Sequence, residues 1–155
     1  MTLALICAGF LINILASRLH ASNYWQQYVH YNMDIKLDVN EKTVGGTSII
    51  KYTNNSPDIL NNIYMHLYPN AFQIGSVKYR ELKQKYGRVP RAAKFIKGFE
   101  DSFSKIDVHR FQIVSNAAVL SDTFKIDDTI LSAELINGLK PGESITIELD
   151  WTHHV

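Results

Sequence analysis

Histidines are the residues of this sequence best suited to bind a metal ion or to move a proton. Six occur: His20, His30, His66, His109, His153 and His154. A helical zinc site needs two histidines four residues apart, with a glutamate directly after the first, so that both imidazoles reach one ion. No pair here has that pattern. The neighbours His153 and His154 alternate faces if they lie on a strand. Three others, His30, His66 and His109, could meet across strands, but the pattern favours ordinary surface or half-buried histidines.

Other groups with catalytic chemistry are sparse. The single cysteine, Cys7, lies in an apolar N-terminal run and is a poor candidate nucleophile. The sequence contains neither a glycine-rich phosphate loop nor the sharp strand-to-helix turn that presents a catalytic serine. Carboxylates such as Asp127 and Asp128 fit an exposed turn better than an acid–base pair. We therefore assign no catalytic, cofactor-binding or metal-binding residue, and whether the chain belongs to an enzyme stays open.

Length and composition indicate what class of protein would carry any such site. The 155 residues are 46% hydrophobic and 20% charged, which suits one domain with one core. This composition excludes a disordered tail, a coiled coil and a multi-span membrane protein. The formal charge of +1 gives the chain no overall attraction for nucleic acid. One cysteine also excludes a disulfide scaffold and a multi-cysteine zinc site.

The N-terminal segment resembles an export signal. Residues 3–16 are apolar except for Gly9 and Asn13, and small residues follow at Ala16 and Ala21. About 14 residues are too few for a membrane span but suit the apolar part of a signal peptide. No Lys or Arg precedes the run, which favours an uncleaved anchor or a start further upstream. We predict that residues 1–23 are a signal peptide or membrane-anchor helix, with a buried first helix as the alternative. The protein is then exported: periplasmic, secreted or membrane-anchored.

The body of the chain, residues 24–155, has the pattern of β-structure. Between Val29 and Val39 the odd positions are apolar: Val29, Tyr31, Met33, Ile35, Leu37 and Val39. This period of two indicates a strand with one apolar face, which we expect to be core. A charge at Met33 should then unfold the domain. The residues 40–46 carry turn chemistry, with Gly45 and Gly46 able to take positive φ.

Further strands are predicted along the rest of the body. They cover about 47–53, 62–68 (with Ile63, Met65 and Leu67 on one face), 126–136 and 145–151. Strands separated by turns at this spacing indicate an antiparallel sandwich or saddle-like β-domain. The last strand lies close to Val155, so we expect the sequence to be the N-terminal part of a longer protein.

The middle of the chain is strongly basic. An insertion of about 76–106 has eight cations and one acid between 76 and 97: Lys78, Arg80, Lys83, Lys85, Arg88, Arg91, Lys94 and Lys97, with Glu81. Just beyond Pro90, five apolar residues have the spacing that places them on one face of a helix: Ala92, Phe95, Ile96, Phe99 and Phe103. The insertion either packs this face on the sheet and leaves its lysines in water, or binds an anionic surface as a basic amphipathic helix.

Aromatic residues cluster around the start of the first strand. They are Tyr24, Trp25, Tyr28 and Tyr31. Such a cluster either stacks on sugars or closes the edge of a sheet. An exported β-sandwich that binds a glycan or a protein is therefore one alternative function, and an anionic-surface binder acting through the basic insertion is another.

Five stretches of the body are distinctive: Tyr-Trp-Gln-Gln at 24–27, Tyr-Asn-Met-Asp-Ile at 31–35, Tyr-Thr-Asn-Asn-Ser-Pro-Asp at 52–58, Ile-Tyr-Met-His-Leu-Tyr-Pro-Asn-Ala-Phe at 63–72 and Leu-Lys-Pro-Gly-Glu at 139–143. These stretches resemble the N-terminal β-domain of exported bacterial zinc metallopeptidases of the aminopeptidase N family (gluzincins). The resemblance covers roughly 24–75 and 120–155. The basic middle has no counterpart in it.

The resemblance implies a non-catalytic scaffold domain that packs against the catalytic domain of the same polypeptide and helps to shape the cleft for a peptide substrate. Loops near 69–75 would contribute to that wall. The family's zinc motif His-Glu-x-x-His and its Gly-x-Met-Glu-Asn motif are absent from this sequence. Zinc is therefore expected only in a catalytic domain outside this chain. No nucleic-acid partner is expected, and membrane contact only through the N-terminal segment.

Overall fold

The computed structural model describes residues 24–116 and 118–155, which form eight strands and two α-helices. The strands are β1 (Tyr28–Asp38), β2 (Thr43–Thr53), β3 (Leu60–His66), β4 (Lys105–Ser115), β5 (Ala118–Ser121), β6 (Lys125–Asp127), β7 (Ile130–Leu139) and β8 (Ser144–His154). The helices are α1 (Val77–Tyr86) and α2 (Ala93–Asp101), with 3₁₀ turns at Tyr68–Phe72 and Pro90–Ala92. The predicted mainly β, antiparallel architecture with a short helical insertion is confirmed. The predicted signal or anchor helix lies outside the described residues.

Two antiparallel sheets of unequal width form the body. The wider sheet has the order β1-β2-β8-β4-β5, and the narrower one has the order β3-β7-β6. Strand β8 pairs with β2 on one side and β4 on the other, so it occupies the centre of the wide sheet. The hydrophobic core comprises Ile50, Ile63, Leu67, Phe111, Ile113, Leu131, Ala133, Leu135, Leu139, Ile145, Ile147 and Leu149.

Two of the predicted apolar faces are core. On β3 and just after it, Ile63 and Leu67 are buried and Met65 packs against the core from its edge. On β8 the alternating residues Ile145 and Ile147 are at most 3% exposed. Period-two patterning therefore located these strands and oriented them correctly, because both have the other sheet across from them.

The turn predicted over 40–46 is confirmed only at the start of that range, where Lys42 takes a positive φ of 52°. Gly45 and Gly46 lie inside β2 and do not form the turn. Gly46 pairs with Ile35 of β1. A Cβ at Gly46 would collide with the main-chain carbonyl oxygen of Asp34. Glycine at this position permits a close strand approach, one of its recognised uses in sheets.

Strand β4 was not predicted, and a β-bulge explains why. Its pairing with β8 shifts register between Val108 and Arg110. Ile106 and Val108 pack against the core before the shift, whereas Phe111 and Ile113 are buried after it. The apolar positions therefore change from even to odd numbers within one strand. A bulge inserts one extra residue, which breaks any count of strict alternation.

Asn54 fastens the turn after β2 to the turn between β7 and β8. The residue is fully buried, and its side-chain nitrogen donates to the carbonyl oxygens of Asp58 at 2.8 Å and Leu139 at 2.9 Å. Its side-chain oxygen accepts from the hydroxyl of Ser56 at 2.6 Å. The main-chain nitrogen of Gly142 donates to the carbonyl oxygen of Asn54 at 2.6 Å. Two turns far apart in sequence are thereby held together by one satisfied polar residue.

A second buried asparagine, Asn70, holds the 3₁₀ turn against the sheets. Its side-chain oxygen accepts from the main-chain nitrogen of Ile106 at 2.8 Å, and its side-chain nitrogen donates to the carbonyl oxygen of Asp128 at 3.3 Å. Asn70 is 2% exposed. It therefore connects the chain after β3 to β4 and to the β6–β7 turn, at the point where the helical insertion begins.

Candidate functional site

An apolar groove runs along the inner face of β1 and β2, beside β3. Two adjoining cavities of about 500 and 400 Å³ form it. Both are lined by Tyr31, Ile50, Tyr64 and Met65. We call this feature the inner-face groove. It exists because the three-stranded sheet is narrower than the five-stranded sheet and ends at β3.

The expectation that the apolar face of β1 is core is wrong. Direct pairing of Tyr31 with Ile50 and of Met33 with Ser48 puts this face on the inner side of the sheet, as predicted. Nevertheless Tyr31, Met33, Ile35 and Leu37 are between 44% and 64% exposed. Only Val29, at the start of the strand, packs against the core. No described strand covers the rest, so β1 presents an apolar row to its surroundings.

Aromatic side chains with polar ends line the groove. Trp151 donates from its indole nitrogen to the hydroxyl of Ser48 at 2.9 Å, which fixes the ring in the groove wall. On the opposite wall His66 and Tyr68 stack with ring centroids 4.9 Å apart. Burial raises the pKa of Tyr52, which lines the smaller cavity. The groove thus offers apolar surface with hydroxyl groups at its rim.

The basic insertion folds as two antiparallel helices, and we call residues 76–101 the helical hairpin. Aromatic contacts join the helices: the rings of Tyr79 and Phe99 stack at 5.9 Å, and the ring of Tyr86 meets the edge of Phe95 at 6.3 Å. The predicted single amphipathic face is therefore only partly right. Ile96 and Phe99 are buried, whereas Phe95 is 61% exposed and Phe103 45% exposed.

One acid neutralises part of the hairpin from within. Glu100 accepts from the hydroxyl of Tyr79 at 2.7 Å and lies 3.2 Å from the amino group of Lys83. The Tyr79 hydroxyl and the Lys83 ammonium lower the pKa of Glu100. The same carboxylate raises the pKa of Lys83, and Asp101 raises that of Lys97. The contacts of Glu100 join the two helices, whereas the Lys97–Asp101 pair lies within α2. Most of the hairpin's cations form no ion pair with a described residue.

Asp128 fastens the base of the hairpin to the β6–β7 turn. An exposed turn was predicted at 127–128. Asp128 forms that turn with a positive φ of 53°. Its carboxylate accepts from the main-chain nitrogen of Val77, at the first position of α1, at 3.0 Å. The hydroxyl of Ser76 accepts from the main-chain nitrogen of Tyr79 and completes the N-terminal cap. The capping role of Asp128 was missed, since the two residues are 51 positions apart.

Formal charge is divided sharply between the hairpin and the rest. The helical hairpin contains eight basic and three acidic side chains. The remainder of 24–155 contains seven basic and twelve acidic side chains. The body's formal charge of zero is therefore the sum of a cationic hairpin and an anionic β-sandwich, which whole-chain composition conceals.

The five histidines that the structure describes are not placed to form a metal site. Among residues 24–116 and 118–155, no three His, Cys, Asp or Glu side chains are placed to share an ion. His109 hydrogen-bonds Thr152 at 2.9 Å, His153 hydrogen-bonds Ser104 at 2.7 Å, and His154 lies 3.2 Å from Asp107. His20 and Cys7 lie outside the described residues.

The aromatic cluster at the start of β1 is exposed but does not form one row. Tyr24, Trp25, Tyr28 and Tyr31 are 82%, 46%, 54% and 57% exposed. Strand alternation places Tyr28 and Tyr31 on opposite faces of β1. Neither closure of the sheet edge nor a continuous sugar-stacking platform describes this arrangement.

The segment expected to contribute to a peptide-binding wall borders a third cavity. Gln73, Ile74 and Gly75 line a polar cleft of about 440 Å³ together with Arg80 and Asp127. The cleft lies between the base of the hairpin and the β6–β7 turn. It opens elsewhere than the inner-face groove and has one lining residue, Ile106, in common with it.

Comparisons with protein-family models, curated proteins and solved structures found no match. Among the described residues, no helix combines the length and the apolar character needed to cross a membrane. The site is therefore defined by its own geometry: an uncovered apolar groove on one side of a two-sheet domain, and a cationic hairpin that leaves the same domain elsewhere.

Proposed function

We propose that this chain is the N-terminal non-catalytic domain of an exported zinc aminopeptidase-like metallopeptidase. The observation that carries the proposal is the uncovered apolar row of β1. Leaving four large apolar side chains half in water is unfavourable, and contiguous exposed apolar surface marks an interaction site. The catalytic domain of the same polypeptide would cover Met33, Ile35 and Leu37.

The stretches that resemble the peptidase family have architectural roles in this fold. Asn54 lies in the stretch 52–58 and fastens two turns, and Asn70 lies in 63–72 and fastens the base of the hairpin. Residues 31–35 supply the uncovered row itself. A set of motifs that builds a sandwich and its contact face supports a scaffold role rather than a catalytic one.

The cleft beside residues 73–75 supports the second part of the proposal. A rigid wall next to a catalytic centre must be fixed in position, and this segment is tied down by the buried Asn70 and by the bond from the hydroxyl of Ser76 to the carbonyl oxygen of Ala71. In the proposed arrangement this edge borders the entrance for the N-terminal end of a peptide substrate. Zinc would be held by the catalytic domain.

The first test is to read the gene beyond the codon for Val155. The proposal predicts an uninterrupted frame that encodes Gly-x-Met-Glu-Asn, then His-Glu-x-x-His and a later glutamate. A stop codon, or a continuation without these motifs, would overturn the metallopeptidase assignment.

The second test addresses the contact face in the full-length product. Ile35→Asp should loosen the packing of the β-domain on the catalytic domain, because a carboxylate would be buried in an apolar interface. Limited proteolysis should then cut faster between the domains. The matched control is Asn32→Asp, which adds the same charge on the opposite, outward face of β1. Equal proteolysis of the two variants would show that this face is not the interface.

A further inference from the structure

The free end of the helical hairpin combines exposed apolar side chains with cations. We call residues 85–95 the hairpin tip. It comprises the last turn of α1, the connector and the first turn of α2. Val89 is 44% exposed and Phe95 is 61% exposed. The edge contact with Tyr86 holds Phe95 at the tip, so its exposure follows from a packed position.

The tip is the end of the hairpin away from its connections to the β-sandwich, and the two helices pack mainly on each other and on the neighbouring 3₁₀ turns. Asp128 fastens the start of α1 to the body, and the end of α2 leads directly into β4. Both connections to the body therefore lie at the end opposite the tip. A helix of 10 residues such as α1 is about 15 Å long. That length exceeds the screening distance of roughly 8 Å at physiological salt, so the negative charges of the body act only weakly at the tip.

All charged side chains of the tip are cations. Lys85, Arg88, Arg91 and Lys94 surround the two apolar side chains, and no acid occurs between Leu82 and Phe99. All four cations are exposed. None of them forms an ion pair within the part of the chain that the structure describes; the hairpin's ion pairs there involve Lys83 and Lys97.

We propose that the hairpin tip docks on an anionic phospholipid surface. Val89 and Phe95 enter the boundary between headgroups and acyl chains, while Arg88, Arg91 and their two lysine neighbours bind lipid phosphates. Apolar side chains flanked by cations are the combination that interfacial segments use. This contact goes beyond the scaffold role, and it is independent of any membrane contact by residues 1–23.

A membrane suits the tip better than a nucleic acid does. A nucleic-acid strand follows a continuous basic groove along a protein, with aromatic rings stacked on successive bases. Here the cations lie together at one end of the hairpin, and the β-sandwich at its other end is anionic. A planar surface meets only the projecting end, whereas a long polyanion would also meet the acidic sandwich.

The test uses the full chain and two vesicle preparations, one of phosphatidylcholine and one of equal parts phosphatidylcholine and phosphatidylglycerol. The readout is the difference in partitioning between them. Arg88→Gln combined with Arg91→Gln should reduce the anion-dependent part roughly thirtyfold, and added salt should weaken it steeply. Phe95→Ser should also reduce binding to the anionic vesicles. The control, Lys36→Gln combined with Lys51→Gln, removes two cations from the sandwich and should leave partitioning unchanged.

Because all variants retain residues 1–23, any contribution from that segment cancels in the comparison. The proposal is overturned if the wild-type chain does not distinguish the two preparations, or if both double variants lose binding equally. It is likewise overturned if a single-stranded oligonucleotide binds the hairpin more tightly than anionic vesicles do. Melting temperatures of all variants confirm that each one is folded.

Discussion

The side-chain amide of Asn54 donates to the carbonyl oxygen of Leu139 across 85 positions of sequence, at 2.9 Å. Leu139 ends β7, and Asn54 follows the last residue of β2. The bond therefore connects the two sheets at one end of the sandwich, in a place where apolar packing alone would not fix their relative position. An asparagine is suited to this role because its amide both donates twice and accepts.

Replacing Asn54 by alanine should lower the free energy of unfolding by about 3 kcal/mol, because the buried carbonyl oxygens of Asp58 and Leu139 would lose their donor. Urea unfolding monitored by tryptophan fluorescence measures this loss. The control is Asn55→Ala, whose side-chain bond to Gln26 is exposed, and it should cost less than about 1 kcal/mol. Equal losses in the two variants would contradict the role assigned to Asn54.

A charge at Met33 should leave the chain folded, contrary to the expectation from sequence. Met33 is 44% exposed in the inner-face groove, so Met33→Asp should change the melting temperature only slightly. Ile113 is fully buried on the same side of the same sheet, and Ile113→Asp should abolish folding, since an unpaired buried charge costs several kcal/mol. Thermal unfolding by circular dichroism separates the two, and unfolding of Met33→Asp would show that the row of β1 is core after all.

The carboxylate of Asp128 should stabilise the start of the helical hairpin. Asp128→Gly removes the acceptor of the Val77 amide and tolerates the positive φ, whereas Asp128→Asn keeps an acceptor at the same place. The glycine variant should lose about 1 kcal/mol of local stability. Amide hydrogen exchange of α1 reports this directly. Identical exchange in the glycine and asparagine variants would refute the capping role.

The ion pair of Asp107 should contribute to acid sensitivity. Hydrogen bonding and charge from Lys105, with a smaller effect of His154, hold the pKa of Asp107 below its usual value of 3.8. A depressed pKa means that the folded state favours the ionised form. The contribution is therefore complete above the unfolded-state pKa and is lost as the pH falls through the lower folded-state value.

For that reason the difference in unfolding free energy between the wild-type chain and Asp107→Asn should shrink as the pH falls below 3.8. Urea titrations between neutral and strongly acidic pH measure it. Asp34→Asn is the control for the general effect of removing an exposed carboxylate. A difference that stays constant over this range would show that the ion pair does not contribute to the acid sensitivity.

The amino-acid pattern was sufficient to place strands but not to decide which apolar faces are covered. The alternation in β1 is as regular as that in β8, yet Ile35 is exposed and Ile147 is buried. Local sequence records only that a strand has an apolar face. Whether another layer lies across from that face depends on the width of the second sheet, which is set by pairing between distant segments.

The hairpin illustrates the same limit at the candidate site. Its cations are visible in the sequence, whereas the tip depends on the helix break between Tyr86 and Ala93 and on an anchor at Asp128. Helical periodicity predicts neither the break nor the anchor. The break is a short connector, and the hydrophobic pattern of the sequence does not change there. The carboxylate that caps α1 comes from a turn that lies three strands further along the chain.

The central position of β8 has a consequence for the order of folding. The hairpin of β1 and β2 and the pair of β4 and β5 do not touch in the wide sheet, and β8 hydrogen-bonds to one member of each. It follows every other described strand in the chain. A ribosome adds roughly 5–20 residues per second, so for most of its synthesis the emerging chain consists of separate local pieces. The wide sheet closes only after Ile145, Ile147 and Leu149 have emerged, and until then the chain stays accessible to chaperones.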